Sequence, residues 1–337
     1  MSENAKRFDM ALILRRRMLE IILVLMIVVF SLLNSHFLTA RNWVNIVRNI
    51  SVYGIIGLGM CMLFASGGID LSVGSTSGLA TVLVATTCEL FQDASQSITV
   101  GAIVGIFVAL IAALLVGAFI AFFVTRFGMP PFIVTLACNY TVSGIAGIIS
   151  GGYPKVVVPA WFNNLASYQL FGFVPTSAVA FIVLAIIFYI IMNQTETGRS
   201  IYAVGGNAEA ARLSGINVTK YRYIASMTVQ FTGALAGIML CSQVMAGNAT
   251  YGSEWSMQCI AAVLIGGSSL DGGGGSIWGT VIGLIFLGAI LNFMTLMNMS
   301  EFVQDVVNGI LILVAVLVNI SDIGNKLKGM KRKKRAA

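Results

Sequence analysis

Long apolar segments recur along almost the whole chain and constrain its fold more than any other feature. They include residues 21–33, 100–124, 179–192 and 310–318, each framed by polar residues or turn formers. Crossing the hydrocarbon core of a bilayer takes about 20 mostly apolar residues, so each segment is a candidate span. Only 10% of the 337 residues are charged, against about 25% in soluble domains. The sequence therefore indicates a chain that folds within a membrane.

The spans are expected to be helices, because lipid offers no hydrogen-bond partner and every backbone N–H and C=O must be paired inside the protein. A membrane barrel would show segments of about ten residues with alternating hydrophobicity, and this sequence has no such pattern. The predicted fold is all-α, a polytopic transmembrane helical bundle of about ten spans with interrupted helices, in one domain over residues 1–337. The approximate spans are 18–36, 48–66, 72–91, 98–124, 130–150, 173–193, 222–245, 257–268, 276–298 and 302–320.

The basic residues indicate the topology, because Lys and Arg near the ends of spans are retained on the cytoplasmic side. Five of the 20 precede the first apolar segment, four lie within residues 195–222, seven lie within 326–335, and Arg126 brings the total to 17. Ten spans that place these 17 inside put both termini in the cytoplasm. The basic tail, residues 321–337, is then expected to lie against anionic membrane lipid rather than to bind nucleic acid.

Two apolar segments are interrupted by glycine and aspartate, one at Gly67, Gly68 and Asp70 and the other at Gly267 and Asp271. Glycine clusters end helices and permit close approach of the backbone. Paired interruptions are typical of an internal duplication and of a transport path; the alternative is two cytoplasmic turns between capped helices. We expect these five residues to form helix breaks or gates near the inner side, where each aspartate can cap the helix that follows.

The longest polar segment, residues 194–222, is predicted to be a cytoplasmic coupling loop. About 30 residues are too many for a simple turn and are seldom structureless in a compact domain. Asn207 is a suitable cap for a short helix, and Gly215 is suited to end it. A short capped helix parallel to the membrane is a rigid element that a cytoplasmic partner can bind.

Within this loop Glu209, Ala210, Ala211 and Gly215 match the start of the EAA loop of ABC-importer permeases, the segment that docks on the ATPase subunit. The match ends there, because Ala225 stands where that family has isoleucine.

The resemblance becomes specific when three segments are joined. They are GRSIYAVGGNAEAARLSGINV at 198–218, SGGIDLSVGS at 66–75 and AAVLIGGSSLDGGGGSIWGT at 261–280. Together they resemble the ribose, xylose, galactose and autoinducer-2 class of ABC sugar permeases, and the similarity covers essentially the whole chain.

The resemblance implies a permease subunit in a bacterial inner membrane that carries a small neutral solute such as a monosaccharide. It implies a second permease copy or a close paralogue, two cytoplasmic ATPase subunits and a periplasmic solute-binding protein. Glu209, Ala210, Ala211 and Gly215 would couple to the ATPase. The chain itself has no glycine-rich loop ending in Gly-Lys and Ser or Thr, which an ATPase of this kind needs to bind phosphates. We therefore expect no enzyme activity, cofactor or metal in this subunit.

Polar residues inside spans are costly and are candidates for the translocation path. These candidates are Asn139, Gln230, Asn292, Gln304 and Asn308. The alternative for each is an interhelical hydrogen bond worth about 0.6 kcal/mol. Two other functions remain open: a branched-chain amino-acid-type ABC permease, and an ion-coupled secondary transporter whose ion site would include Asp70 or Asp271.

Overall fold

The computed structural model describes the backbone of residues 18–334 and the side chains of residues 19–317. The N-terminal basic residues, the last three residues and the side chains of the predicted basic tail lie outside these ranges. The described chain is almost entirely helical. Its α-helices are α1 (Met18–Leu33), α2 (Ala40–Ala65), α3 (Val73–Asp93), α4 (Ile98–Arg126), α5 (Pro131–Ser150), α6 (Asn164–Ser167), α7 (Thr176–Gln194), α8 (Glu196–Gly206), α9 (Ala208–Leu213), α10 (Val218–Val244), α11 (Trp255–Ile265), α12 (Ile277–Leu296) and α13 (Glu301–Lys334). A short 3₁₀ helix, Ala160–Asn163, directly precedes α6.

The prediction of an all-α polytopic membrane bundle is confirmed. Within residues 18–334, six helices are long and apolar enough to cross a membrane, namely α2, α4, α5, α7, α10 and α12. The other four predicted spans also coincide with helices, α1, α3, α11 and α13. Of these, α11 has only 11 residues. The strands within the described range are β1 (Gln169–Leu170) and β2 (Val174–Pro175), which pair in an antiparallel hairpin.

Helix α2 begins eight residues earlier than predicted, at Ala40 rather than residue 48. Its polar first turns are held by side-chain contacts. The Thr39 side chain caps the helix by accepting a hydrogen bond from the N–H of Asn42 at 3.4 Å. The Asn42 amide in turn donates to the carbonyl oxygen of Phe37 at 2.9 Å. These bonds satisfy polar groups that hydropathy alone would place in a loop.

Helices α2, α3 and α10 form the centre of the bundle, and α4, α5 and α7 expose most of their apolar surface. Small residues let the central helices approach closely. A β-carbon at Gly237 of α10 would overlap the carbonyl oxygen of Ser77 in α3. One turn away, the Ser77 hydroxyl donates to the carbonyl oxygen of Gly233 at 2.8 Å. Close helix packing through small residues is usual in membranes, where lipid competes equally for apolar side chains.

The predicted coupling loop contains two helices, α8 and α9, of which the sequence indicated only the second. Thr195 caps α8 by accepting from the N–H of Gly198 at 3.4 Å. The side chains of Ile201 and Val204 point into the core. This loop is therefore anchored to the bundle rather than free of it.

Candidate functional site

The short helix α9 is capped at both ends as its sequence predicts. The Asn207 side chain accepts a hydrogen bond from the N–H of Ala210 at 2.9 Å. After the last turn Gly215 has φ +83°, a left-handed conformation that glycine adopts without strain. Its N–H donates to the carbonyl oxygen of Arg212 at 3.0 Å. Helix α9 is thus a rigid unit of less than two turns.

The four motif residues, three on α9 and Gly215 just after it, divide between a buried and an exposed side. Ala211 is buried against the loop, whereas Glu209, Ala210 and Gly215 are exposed. Nothing lies within 4 Å of a β-carbon placed at Gly215. Leu213 presents an apolar side chain that is 74% exposed. The uncrowded glycine, the small alanine and the exposed leucine together form a compact surface on which a partner can pack.

The same surface carries one ion pair, between Glu209 and Arg212. The Glu209 carboxylate and the Arg212 guanidinium form two hydrogen bonds, at 2.6 and 3.0 Å. The hydrogen bond and the positive charge of Arg212 hold the pKa of Glu209 below its ordinary value. Both side chains are about two-thirds exposed. The pair contributes little to stability, but it presents a carboxylate and a guanidinium side by side on the exposed surface.

Both helix interruptions have the same backbone arrangement. Just after the end of α2, Gly67 has φ +81° and donates from its N–H to the carbonyl oxygen of Phe64, and Gly68 donates to that of Leu63. Just after the end of α11, Gly267 has φ +89° and donates to the carbonyl oxygen of Leu264, and Ser268 donates to that of Val263. This pair of bonds around a left-handed glycine is the Schellman motif.

The aspartates in the two interruptions differ in environment. Asp70 is fully buried, and its Oδ1 accepts bonds of 2.7 Å from both the N–H and the hydroxyl of Ser72. Asp271 is exposed. The prediction that Asp271 caps the following helix is wrong, because Ser276 caps α12. Asp70 precedes Ser72, the N-cap residue of α3, whose own side chain makes no capping bond. The Asp70 side chain instead accepts from the Ser72 N–H and so holds the start of the helix that follows, as predicted.

Helix α8 joins the two interruptions at a glycine junction, which we define as Gly67, Gly205, Gly272 and Gly273 with Ala65. The N–H of Gly273 donates to the carbonyl oxygen of Ala65 at 3.0 Å. Gly205 lies between them, and a β-carbon there would overlap the oxygen of Ala65 and lie 2.6 Å from the nitrogen of Gly273. Three chain segments therefore meet backbone to backbone, directly before α9.

A side chain reinforces this junction. The Tyr202 hydroxyl, on α8, donates to the carbonyl oxygen of Gly275 at 2.9 Å. The end of the second interruption is thereby fixed to α8. Movement of α8 must shift both interruptions or break these contacts, because packed interfaces do not deform continuously.

The predicted polar candidates are not in one place. Gln230 is fully buried and donates to Oδ2 of Asp70 at 2.6 Å. Asn292 exchanges two amide hydrogen bonds of 2.9 Å with Asn42. Gln304 donates to the backbone at 3.2 Å near the start of α13, where Asn308 is half-buried. Asn139 is half-buried at the middle of α5.

Around Asn139, α5 carries an open polar face. Tyr140 is 73% exposed, and Ser143, three residues further along the same face, is also exposed. Beside them, β-carbons placed at Gly144 or Gly147 would touch nothing. A helix of 20 residues spans about 30 Å, so this face lies near mid-depth.

Comparison with known proteins shows to which protein family the chain belongs. The family model described as "Branched-chain amino acid transport system / permease component" matches residues 42–316. The chain belongs to this permease family. The chain is 35% identical over 302 residues to the ribose import permease protein RbsC of Bacillus subtilis, covering 88% of this permease and 90% of the relative. It is 36% identical over 299 residues to the L-arabinose transport system permease protein AraH of Escherichia coli, covering 87% and 88%. No solved structure matches.

Sequence reasoning about this permease missed two sets of functional candidates. The first is Tyr202 and Gly205, whose role depends on contacts with segments far away in the chain. The second is the part of the polar face of α5 beyond the predicted Asn139, namely Tyr140 and Ser143, which the run Asn-Tyr-Thr-Val-Ser-Gly at 139–144 could have signalled within an otherwise apolar span.

Proposed function

We propose that this permease is the membrane-spanning subunit of an ATP-driven importer for a small neutral solute, a monosaccharide, in the inner membrane of a bacterium. Both termini and the loop at 194–222 lie in the cytoplasm, with the basic tail at 321–337 on the inner leaflet. Two permease subunits, two cytoplasmic ATPase subunits and a periplasmic binding protein make up the transporter. ATP hydrolysis takes place on the separate ATPase subunit.

The observation that carries the proposal is the attachment of α9 to both helix interruptions through α8. An ATPase subunit packs on Glu209, Ala210 and Gly215, with Leu213 as an apolar anchor, while Ala211 holds α9 to the loop. Closure of the ATPase pair displaces α8, and the glycine junction passes that displacement to Gly67, Gly68 and Asp70 and to Gly267 and Asp271. Because the interruptions are not helical, they can change conformation without breaking a helix.

The translocation path runs along the polar face of α5. Lipid leaves polar side chains at mid-depth without hydrogen-bond partners, so such residues face a water-filled cavity or protein. The exposed faces of α4 and α7 are, by contrast, almost wholly apolar. Amide and hydroxyl groups at Asn139, Tyr140 and Ser143 suit a neutral polyol, and a second permease copy closes the other side of the path.

The relatives are named for sugars, whereas the family as a whole is named for branched-chain amino acids. The proposed solute class follows from the relatives. Proteins named for ribose and arabinose align with nearly the whole chain. The described residues of α5 include no charged side chain, whereas an amino acid carries both charges. This supports a sugar over a branched-chain amino acid. Membership of an ABC permease class also disfavours ion-coupled transport.

The test of coupling uses two variants and one matched control. Gly215→Trp and Glu209→Lys both alter the exposed surface of α9, and Glu196→Lys reverses an exposed charge at the start of α8. Uptake of labelled ribose and arabinose is measured in cells, and uptake of leucine tests the alternative solute class. Co-purification of each variant with the ATPase is measured separately. We expect both α9 variants to lose uptake and ATPase binding while the control keeps both. Normal uptake and binding in both α9 variants would remove α9 as the coupling site.

A further inference from the structure

Helices α4 and α5 are consecutive but do not pack closely along their length. Helix α5 instead packs mainly against α3; Pro130 precedes it and Pro131 is its first residue. A groove of about 480 Å³ remains between the two helices. Its lining is apolar except for Thr141, and it includes Leu115 and Phe119 of α4 and Ile133, Ala137 and Ile145 of α5.

The groove lies at membrane depth and runs along the bundle axis. On α5 its lining extends from Ile133 to Ile145, about 18 Å at 1.5 Å per residue. The one hydroxyl in it, Thr141, already donates to the carbonyl oxygen of Ala137 at 2.9 Å. The groove therefore offers an occupant no free hydroxyl or amide donor among its lining side chains, and it matches a hydrocarbon chain in chemistry and in length.

A positive charge lies at one end of this groove. Arg126 is the last residue of α4, and it follows Leu115 and Phe119 at helical spacing on one stripe of that helix. Its side chain is exposed. Within residues 19–317, no carboxylate lies within salt-bridge distance of Arg126. An unpaired guanidinium at the end of an apolar groove is complementary to an anionic head on an apolar chain.

We propose that the groove between α4 and α5 binds one acyl chain of an anionic phospholipid, with the lipid phosphate on Arg126. The phosphate then lies at the same end of the bundle as the coupling loop, because Val124, Met129 and Arg222 line one cavity there. A lipid fits better than a protein helix, because the apolar surface continues beyond the groove on α4, at Phe107 and Ile111, as it does where a helix faces bilayer.

The test is native mass spectrometry of the full-length permease with phosphatidylglycerol and phosphatidylcholine of identical acyl chains. Arg126→Gln removes the charge, and Ala137→Trp fills the groove. Arg199→Gln and Ile186→Trp are the matched controls, since Arg199 is another exposed arginine and Ile186 is an exposed apolar residue of α7.

We expect one phosphatidylglycerol per wild-type chain, bound about fivefold more tightly than phosphatidylcholine, the effect of one basic residue near an anionic lipid. Arg126→Gln should abolish the preference, Ala137→Trp should reduce retention of both lipids, and the controls should behave as wild type. Equal binding of the two lipids by the wild type would overturn the proposal. The proposal would also be overturned if Ala137→Trp retained both lipids as the wild type does but no longer formed a permease dimer, because the groove would then bind a second permease copy.

Discussion

Gln230 donates a hydrogen bond from Nε2 to Oδ2 of Asp70 over 2.6 Å, although the two residues are 160 positions apart in the sequence. The same nitrogen also lies 2.8 Å from the hydroxyl oxygen of Ser72. All three residues are fully buried. A buried carboxylate is tolerated only when hydrogen-bonded or paired, so these bonds join α10 to the interruption between α2 and α3.

The first prediction concerns this bond. Gln230→Leu removes the hydrogen-bond donor to a buried carboxyl oxygen of Asp70, and leaving a buried acceptor unsatisfied costs about 1–3 kcal/mol. We expect the purified variant to melt at a lower temperature than the wild type. Gln304→Leu is the control, because Gln304 donates only to a backbone carbonyl, in an exposed setting. Equal melting temperatures for the two variants would show that the buried bond has no such role.

The second prediction concerns the glycine junction, where two adjacent glycines differ in their surroundings. A β-carbon at Gly205 would overlap the oxygen of Ala65, whereas one at Gly206 would meet nothing closer than 3.9 Å. Gly205→Ala must therefore push α8 away from both interruptions, and overpacking of this kind costs about 1–3 kcal/mol.

We expect Gly205→Ala to lose most solute uptake while it still binds the ATPase, because α9 itself is unchanged. Gly206→Ala should transport normally. Uptake in cells and co-purification with the ATPase measure the two effects separately. Wild-type uptake by Gly205→Ala would mean that the junction does not transmit movement.

The helices were predictable wherever apolar residues are continuous. Helices α4, α5 and α7 each consist of one apolar run, and their ends lie within three residues of those predicted. Helix α2 was harder, because its first turns carry Arg41, Asn42 and Arg48. The hydrogen bonds that hold Asn42 inside the protein reach Phe37 and Asn292, and hydropathy contains no information about such partners.

The site was predictable to the extent that it is local. The caps of α9 depend on Asn207 and Gly215, which act within a few residues of their own position. The junction depends on Gly205 meeting Gly273, a contact between chain segments 68 residues apart. Two adjacent glycines at 205 and 206 do not by themselves indicate which neighbour each will touch. The capping of α12 was mispredicted for a local reason, since Ser276 competes with Asp271 and lies directly before the helix.

The last prediction tests the polar face of α5 by water access. Ser143 is exposed beside Tyr140, near the middle of a helix that is long enough to cross the membrane. If this face lines the translocation path, a cysteine there meets water, and a water-soluble thiol reagent should label Ser143→Cys. Ile111→Cys on the apolar face of α4 is the matched control, since Ile111 is 57% exposed but faces lipid in this arrangement. The five native cysteines, Cys61, Cys88, Cys138, Cys241 and Cys259, are buried, so background labelling should be low.

We also expect the transported sugar to slow labelling at Ser143→Cys, because solute in the path excludes reagent. Equal labelling of the two variants, or no effect of sugar, would place the path on another face of the permease.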